Sequence, residues 1–404
     1  MIEHLEREIR TALELKKKFI EEGLEASIGN IYIDAKFLFN GKEPDIVCLP
    51  FLYSEKDKII EMYLRKWPNS IFVNLAYEQI LYPLNSIFKV PAYSKNSDRI
   101  YTISWSKEFT SKLLKNEVNI KRIIKSGHPY FKEEIESKQS PKYILEYENI
   151  IFFENYAWIF KSKRYLKKIS KYAHIEESIL FNMKDELISN LKKTFEHLRI
   201  IQNSNKEIKI YFKLRPNSNW TSWILFLLKN TINPKGIKFV KRIGNIDISS
   251  SNTFILSNYS TVLINFKLKK YGVGTLFKPS IPILQYEWLN YIAEMKKFLN
   301  TNPSNHDIQM SIILEKMFLK WFKNNFYQNE IDFASFVNAK LSKAINTQNF
   351  VDPKFYYSEI PINLGKNQKN NVIYILSAIL YLKKNKISYR LKTHQSDIKS
   401  YLNL

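Results

Sequence analysis

From residue 26 to residue 277 short apolar runs alternate with helical stretches, and that alternation restricts the chain to α/β folds built on parallel sheets covered on both faces. A first helix is marked by Leu5, Ile9, Ala12, Leu13 and Phe19 recurring at helical spacing, with Gly23 as its stop. Strand-like runs follow at 26–33, 45–51 and 70–75, with a helical stretch at 56–66 between them. A strand at 99–103, a helix at 107–115 and a strand at 122–125 carry the pattern to His128-Pro129. Periodicity is then lost from 133 to 148, where Ser137, Gln139, Ser140 and Pro141 accumulate, and this segment is expected to be a linker.

Alternation resumes with an apolar run at 150–153, a long helix at 175–202, a strand at 208–214 and a helix at 222–230. Strands are expected at 238–241 and 253–256, a helix at 261–271, a strand at 274–277 and a short apolar run at 281–284. Helices at 307–326 and 332–346 and a helical end complete the pattern. The expectation is therefore α/β, with two Rossmann-like domains at 1–140 and 141–300 facing each other across a cleft, and a mainly helical extension at 301–404. Because the sequence starts in a helix where such a domain starts in a strand, the first domain is expected to lack its first strand.

A chain of 404 residues exceeds the size at which one core stops growing, and 45% hydrophobic residues supply two cores. The net charge of +23 implies a polyanionic neighbour: a nucleotide, an acidic glycan, an anionic lipid headgroup or nucleic acid. The lone cysteine, Cys48, lies in the apolar run Ile46-Val47-Cys48-Leu49 and is expected to be a buried thiol, as suits a reducing cytoplasm. The first twenty residues form a charged amphipathic helix and not a secretory leader, which predicts a cytoplasmic protein. The run 372–382, broken by Ser377, is short of the roughly 20 residues that a bilayer requires and reads as a core helix. Its flank of Lys383, Lys384 and Lys386 suits peripheral contact with an anionic leaflet.

The sequence has no G-x-G-x-x-G, no P-loop, no G-x-S-x-G and no Cys/His cluster at zinc spacing, which argues against dehydrogenase, P-loop kinase, α/β-hydrolase and zinc enzyme. Two runs stand at expected strand ends, where open α/β sheets bind ligands. In Lys213-Leu214-Arg215-Pro216-Asn217, Arg215 offers a bidentate fork for phosphate or carboxylate. In Ser257-Asn258-Tyr259-Ser260-Thr261-Val262, Ser260 and Thr261 would open a helix whose free amides favour an anion. Lys213, Arg215, Asn217, Ser257, Ser260 and Thr261 are thus the candidate nucleotide-phosphate grip; a salt-bridged loop with a proline turn is the plain alternative for the first run.

Two further candidates lie in the first half. Glu78 follows the strand at 70–75 and is placed to take a proton from a hydroxyl or to stabilise positive charge, or simply to cap the next helix. His128, after the Gly127 turn, is placed to bind phosphate or orient an acceptor, or belongs to a structural turn. The basic run Lys161, Lys163, Arg164, Lys167, Lys168 and Lys171 reads as a solvated helix face or as contact with lipid or a charged glycan.

These residues resemble bacterial surface carbohydrate biosynthesis proteins of the two-Rossmann GT-B glycosyltransferase type, akin to capsule Kdo transferases and more distantly to CDP-glycerol glycerophosphotransferases. Glu3-His4-Leu5-Glu6-Arg7-Glu8 with Ile28-Gly29 is similar to that family's start, and Asn74-Leu75-Ala76-Tyr77-Glu78-Gln79 to its acidic segment. Ser126-Gly127-His128-Pro129-Tyr130-Phe131 resembles its turn, Arg215-Pro216-Asn217 with Trp223 its donor loop, and Ser260-Thr261-Val262 its helix start. Asn217 stands where the family has His, and Tyr130-Phe131-Lys132 lacks its Arg and Asp. The resemblance implies a cytoplasmic glycosyltransferase, peripheral to the membrane, that moves a sugar from a CMP- or CDP-linked donor onto a surface polysaccharide. It implies no metal and no cofactor beyond the donor. The partners expected are the nucleotide-sugar, a glycan or lipid-linked glycan acceptor, and an anionic membrane surface. The rival expectation is a non-catalytic basic protein that binds nucleic acid, through its Lys/Arg clusters and its 25 Tyr and 27 Phe, or an anionic glycan; a degenerate transferase acting as a scaffold is the third.

Overall fold

The computed structural model describes residues 1–3, 5–31, 43–93, 98–127, 144–215, 218–241, 243, 246–294, 305–327, 335–337 and 339. It is an α/β fold with two parallel sheets. The first contains β1 (Ile46–Leu49), β2 (Ile71–Asn74), β3 (Ile100–Ser104) and β4 (Ile123–Lys125), paired in sequence order. Helices α1 (Leu5–Glu21), α2 (Lys58–Lys66), α3 (Pro83–Lys89) and α4 (Lys107–Lys115) accompany it. Asp57 caps α2 and Ser106 caps α4 by accepting from an amide of the first turn, which fixes where each helix leaves its strand.

Alternate residues of these strands face opposite ways. Val47, Leu49, Phe72 and Ile100 pack with Ile60 and Tyr63 of α2, while Ile123 packs with Phe109 and Leu113 of α4. Val73, Tyr101, Ile103 and Ile124 point to the other face and join a cluster that runs on into the second half of the chain. The strand expected at 26–33 is reduced in its described part to one bridge, Ile2 to Asn30, with the Ile2 amide donating to Gly29 O and the Ile31 amide to Ile2 O. Ser27, Gly29 and Asn30 make a poor strand, and the single bridge uses up the pairing that Ile2 can offer.

The second sheet has the order β7-β6-β5-β8-β9. Its strands are β5 (Asn149–Phe153), β6 (Lys209–Lys213), β7 (Ile237–Val240), β8 (Thr253–Leu256) and β9 (Gly272–Gly274). The chain steps from β5 through β6 to β7, then returns to the other side of β5 for β8 and β9, so the topological switch point lies between β5 and β8. Helices α5 (Lys163–Ala173), α6 (Glu177–Ser204), α7 (Trp220–Lys229) and α8 (Val262–Leu268) complete this half. Phe195 of α6 stacks on Phe212 of β6, and Phe266 of α8 lies against Phe153 of β5, so the sheet is covered on both faces. The described end of the expected linker is part of this core: Ile144 is buried, and Tyr147 sits edge-on to Phe254.

Helix α9 (Asn305–Asn325) packs on the 3-10 turn Glu287–Tyr291 and then returns to the first sheet. Phe326 bridges Ser106, the Tyr327 amide donates to Trp105 O, and Tyr327 Oη lies 2.9 Å from Thr110 Oγ1. Phe318, Trp321, Phe322 and Phe326 enter the cluster that already holds the inner faces of both sheets. Among the described residues no helix is long and apolar enough to cross a membrane. The expected helix at 332–346, for the most part, and the run 372–382 lie outside the described residues.

Gly272 opens β9 where the strand lies closest to the aromatic layer. A Cβ there would stand 2.6 Å from both Phe254 Cδ2 and Tyr147 Oη. Gly272→Ala should therefore lower the unfolding free energy by about 1–3 kcal/mol, measured in urea, because neither ring has room to withdraw.

Candidate functional site

The carboxyl ends of β5, β6 and β8 form one connected polar structure, and a single carboxylate organises it. Glu154 directly follows β5 and is buried. Its Oε1 accepts from the Tyr156 amide at 2.9 Å, and its Oε2 accepts from the Arg215 amide at 3.1 Å and from Ser218 Oγ at 3.3 Å. The loop after β6 is thereby tied to the turn after β5, and the exposed Arg215 side chain projects from a fixed backbone. Burial raises the Glu154 pKa; the Arg215 charge and the three hydrogen bonds oppose that rise.

The turns after β5 and β8 are cross-braced by side chains. Ser257 Oγ donates to Phe153 O at 2.7 Å, Tyr259 Oη donates to Asn155 O at 2.6 Å, and Asn258 Nδ2 donates to Tyr156 Oη. Thr275 Oγ1 donates to Asn258 O from the strand beyond. These bonds hold the switch point at one width. Two side chains there stay unsatisfied among the described residues: both ends of the Asn155 carboxamide and Asn258 Oδ1 find no hydrogen-bond partner, although the residues are only 9% and 2% exposed. Buried amide groups of this kind carry a desolvation cost of about 1–3 kcal/mol each unless something meets them.

The first half of the chain reaches this place through Tyr82, the residue before α3. Its hydroxyl accepts from Trp158 Nε1 at 3.2 Å, and its ring sits edge-on to Tyr259 and Tyr286, with centroids 6.1 and 5.3 Å away. Burial raises the pKa of Tyr82, Tyr259 and Tyr286, and the Arg215 charge pulls each of them back down. One guanidinium therefore acts on tyrosines from both halves.

Glu78 stands on a strongly held loop of the first half. Asn74 Nδ2 donates to Leu52 O and its Oδ1 accepts from the Ala76 amide, while Gln79 donates to Ile103 O at 2.8 Å and accepts from the Trp105 amide at 2.7 Å. Between these anchors Ala76 adopts φ 44°, a left-handed conformation costing about 1–2 kcal/mol for a residue with a Cβ. Glu78 forms an ion pair with Lys89 at the end of α3.

The remaining sequence candidates divide. Ser260 and Thr261 are half-buried beside the switch point, with Ser260 Oγ accepting from the Val262 amide at 3.4 Å. The helix they precede has seven residues, so few peptide dipoles align behind them and the hydroxyls themselves are the anion ligands on offer. Ser257 is fully buried in its bond to Phe153 O, and Lys213 Nζ donates to Leu214 O at 2.6 Å. Trp223 packs its ring against Phe160, Phe212 and Phe226 in the core. His128 and Asn217 lie outside the described residues. Sequence reasoning passed over Glu154, Asn155, Asn258 and the tyrosines; the available signal was the polar pair Glu154-Asn155 directly behind an unbroken apolar strand. Among the described residues no group of three or more His, Cys, Asp and Glu is gathered as a metal site.

No protein-family profile matches the sequence, and no curated protein aligns with it. Among solved structures the chain is similar to S. aureus MnaA in a co-structure with UDP, with TM-score 0.38 and 10% identity over 86% of this chain and 89% of that one. It is also similar to a putative UDP-N-acetylglucosamine 2-epimerase from Listeria monocytogenes, with TM-score 0.38 and 11% identity over 86% and 89%.

The raised pKa of Glu154 has a definite sign. Between the ordinary glutamate value of about 4.3 and its higher native value, the folded protein holds more proton than the unfolded chain, so this residue's contribution to stability falls as pH rises through that window. Urea titrations of wild type and Glu154→Gln across that range should show the wild type losing stability relative to the variant as pH rises; parallel curves would contradict the assignment.

Proposed function

We propose that the chain is a glycosyltransferase that moves a sugar from a nucleotide-activated donor onto a surface polysaccharide. The observation that carries this reading is the exposed Arg215, which follows β6, has its backbone amide held by Glu154 beside the switch point of the second sheet, and carries a charge that acts on the tyrosines joining the two halves. A guanidinium in that position can take a donor phosphate in two parallel hydrogen bonds and offset the charge that builds on the leaving nucleotide. The Ser260 and Thr261 hydroxyls, on the β8 side of the same switch point, add donors to the same anion. Cationic side chains supply this stabilisation, so the reading does not require a metal ion.

Glu78 acts from the first half, where its loop is anchored on both sides. A carboxylate held there suits removal of the acceptor hydroxyl proton or stabilisation of positive charge at the anomeric carbon. The unpartnered carboxamide of Asn155 and Asn258 Oδ1 offer one donor and two acceptors, a set that the hydroxyls of a sugar can satisfy. The resemblance to capsule transferases favours CMP- and CDP-linked donors.

The nucleic-acid alternative loses part of its support in the core. The rings of Phe152, Phe195, Phe212 and Trp223 are buried among one another, so they offer no platform on which exposed bases could stack.

Thermal unfolding in the presence of CMP, CDP, UDP and GDP tests the reading. CMP or CDP should stabilise the protein, and Arg215→Ala should weaken binding about 10- to 150-fold, the equivalent of one charge-assisted contact of about 1.5–3 kcal/mol. Salt-sensitive oligonucleotide binding with no nucleotide response would favour the rival. Glu78→Gln should leave the nucleotide shift unchanged and lower transfer about 10²- to 10⁴-fold. Nucleotide binding with no transfer to any acceptor would reduce the protein to a scaffold.

A further inference from the structure

Helix α7 has the sequence Trp-Thr-Ser-Trp-Ile-Leu-Phe-Leu-Leu-Lys, and its apolar residues occupy more of its circumference than the core can use. Trp223 and Leu227 point inward and are buried. Ile224, Leu225 and Leu228 share the opposite face and are 41%, 62% and 70% exposed, with Trp220 also exposed at the first turn. A surface helix ordinarily carries polar side chains at those positions, and a contiguous exposed apolar patch marks an interaction site.

The surroundings of this face say what covers it. Lys229 ends α7, and its charge acts together with that of Lys163 on Lys184. Lys184 Nζ in turn donates to Lys161 O, next to Phe160, whose ring packs on Trp223 and Phe226 of α7. The charges of Lys163, Lys184 and Lys229 thus lie within reach of one another beside α7, with Asp185 the acidic group acting on Lys184. The exposed α5 residues Arg164, Lys168 and Lys171 extend the positive field, while Lys167 is paired with Glu177.

We infer that the exposed face of α7 rests on an anionic lipid bilayer, with Ile224, Leu225 and Leu228 entering the boundary between headgroups and acyl chains and the surrounding lysines meeting the headgroups. Apolar insertion and cationic attraction reinforce each other at such an interface. A second copy of the chain fits this surface poorly, because a two-fold contact sets a patch against itself and would oppose the lysines to one another. Residues 341–404 fit it poorly as well, with ten Lys and Arg against three Asp and Glu. Nucleic acid would meet the lysines but offers nothing for the leucines to enter. The inference is independent of what the crevice binds.

Co-sedimentation with vesicles of phosphatidylglycerol and phosphatidylcholine, against vesicles of phosphatidylcholine alone, tests it without any nucleotide. Wild type should bind the anionic vesicles, and less so as NaCl is raised. Leu225→Glu/Leu228→Glu, at positions already in solvent, should keep the wild-type circular dichroism and melting curve and lose about tenfold or more of the binding. Lys163→Gln/Lys229→Gln should lose about fivefold per charge removed. Wild-type protein that stays in the supernatant would overturn the inference, as would a double-glutamate variant that binds as wild type does. A dimer in analytical ultracentrifugation that the double-glutamate variant dissociates, with no vesicle binding, would assign the face to self-association and overturn it too.

Discussion

Burying a carboxylate at the end of β5 is tolerable only because three donors converge on it, and those donors determine the shape of everything around the crevice. Desolvating the Glu154 carboxylate costs several kcal/mol, and charged hydrogen bonds return roughly 1.5–3 kcal/mol each. The Tyr156 and Arg215 amides and Ser218 Oγ therefore act as one unit. Lose any of them and the carboxylate is left short of a partner; lose both the Arg215 amide and Ser218 Oγ and the loop after β6 is no longer tied to the Glu154 carboxylate. The guanidinium owes its position to its own main chain, which is why an exposed side chain can be well placed. A buried anion behind Arg215 also tempers its charge, so a phosphate arriving at the guanidinium would push the Glu154 pKa further in the direction that burial already drives it.

The same economy of contacts joins the two halves. Tyr82 touches Trp158, Tyr259 and Tyr286, all of them residues that follow or flank strands of the second sheet. Helix α9 carries the chain back to β3, and its aromatic residues fill the space between the sheets. The high aromatic content is thus consumed in making one continuous apolar cluster out of two sheets, each of which would otherwise need its own cover. The polar groups tied together after β5, β6 and β8 stand where the second sheet's ladder of backbone hydrogen bonds stops.

Strand and helix positions were legible because burial in a parallel sheet writes itself locally: Ile150 to Phe153 and Thr253 to Leu256 are strands, in register, as their apolar runs indicate. Arg215, Ser260 and Thr261 were legible for the same reason, since each stands just past such a run. Glu154 and Asn155 stand just past one too, but a glutamate behind a strand looks like any solvated turn until the loop that donates to it is known, and that loop lies far along the chain. The run expected as a strand at 26–33 shows the opposite failure: among the described residues its pairing is a single bridge, Ile2 to Asn30. Periodicity reports which side of an element is buried; it does not report the partner. The tyrosine contacts between the halves could not be read for that reason, nor could the cluster of lysines contributed by three separate elements.

The large positive charge resolves into two kinds of cation with different physics. Arg215 presents a planar guanidinium on an exposed side chain whose backbone amide is tied to Glu154, suited to geometric recognition of one anion. Lys163, Lys184 and Lys229 are point charges close enough to act on one another, and crowding like charges raises the energy of the free protein. The leaflet inferred for this face would offset that charge with its headgroups and take up the apolar side chains beside the lysines in its interior. An enzyme whose acceptor is anchored in lipid would gain from being held against the same leaflet, because the acceptor search then takes place in two dimensions and the crevice stays within reach of it.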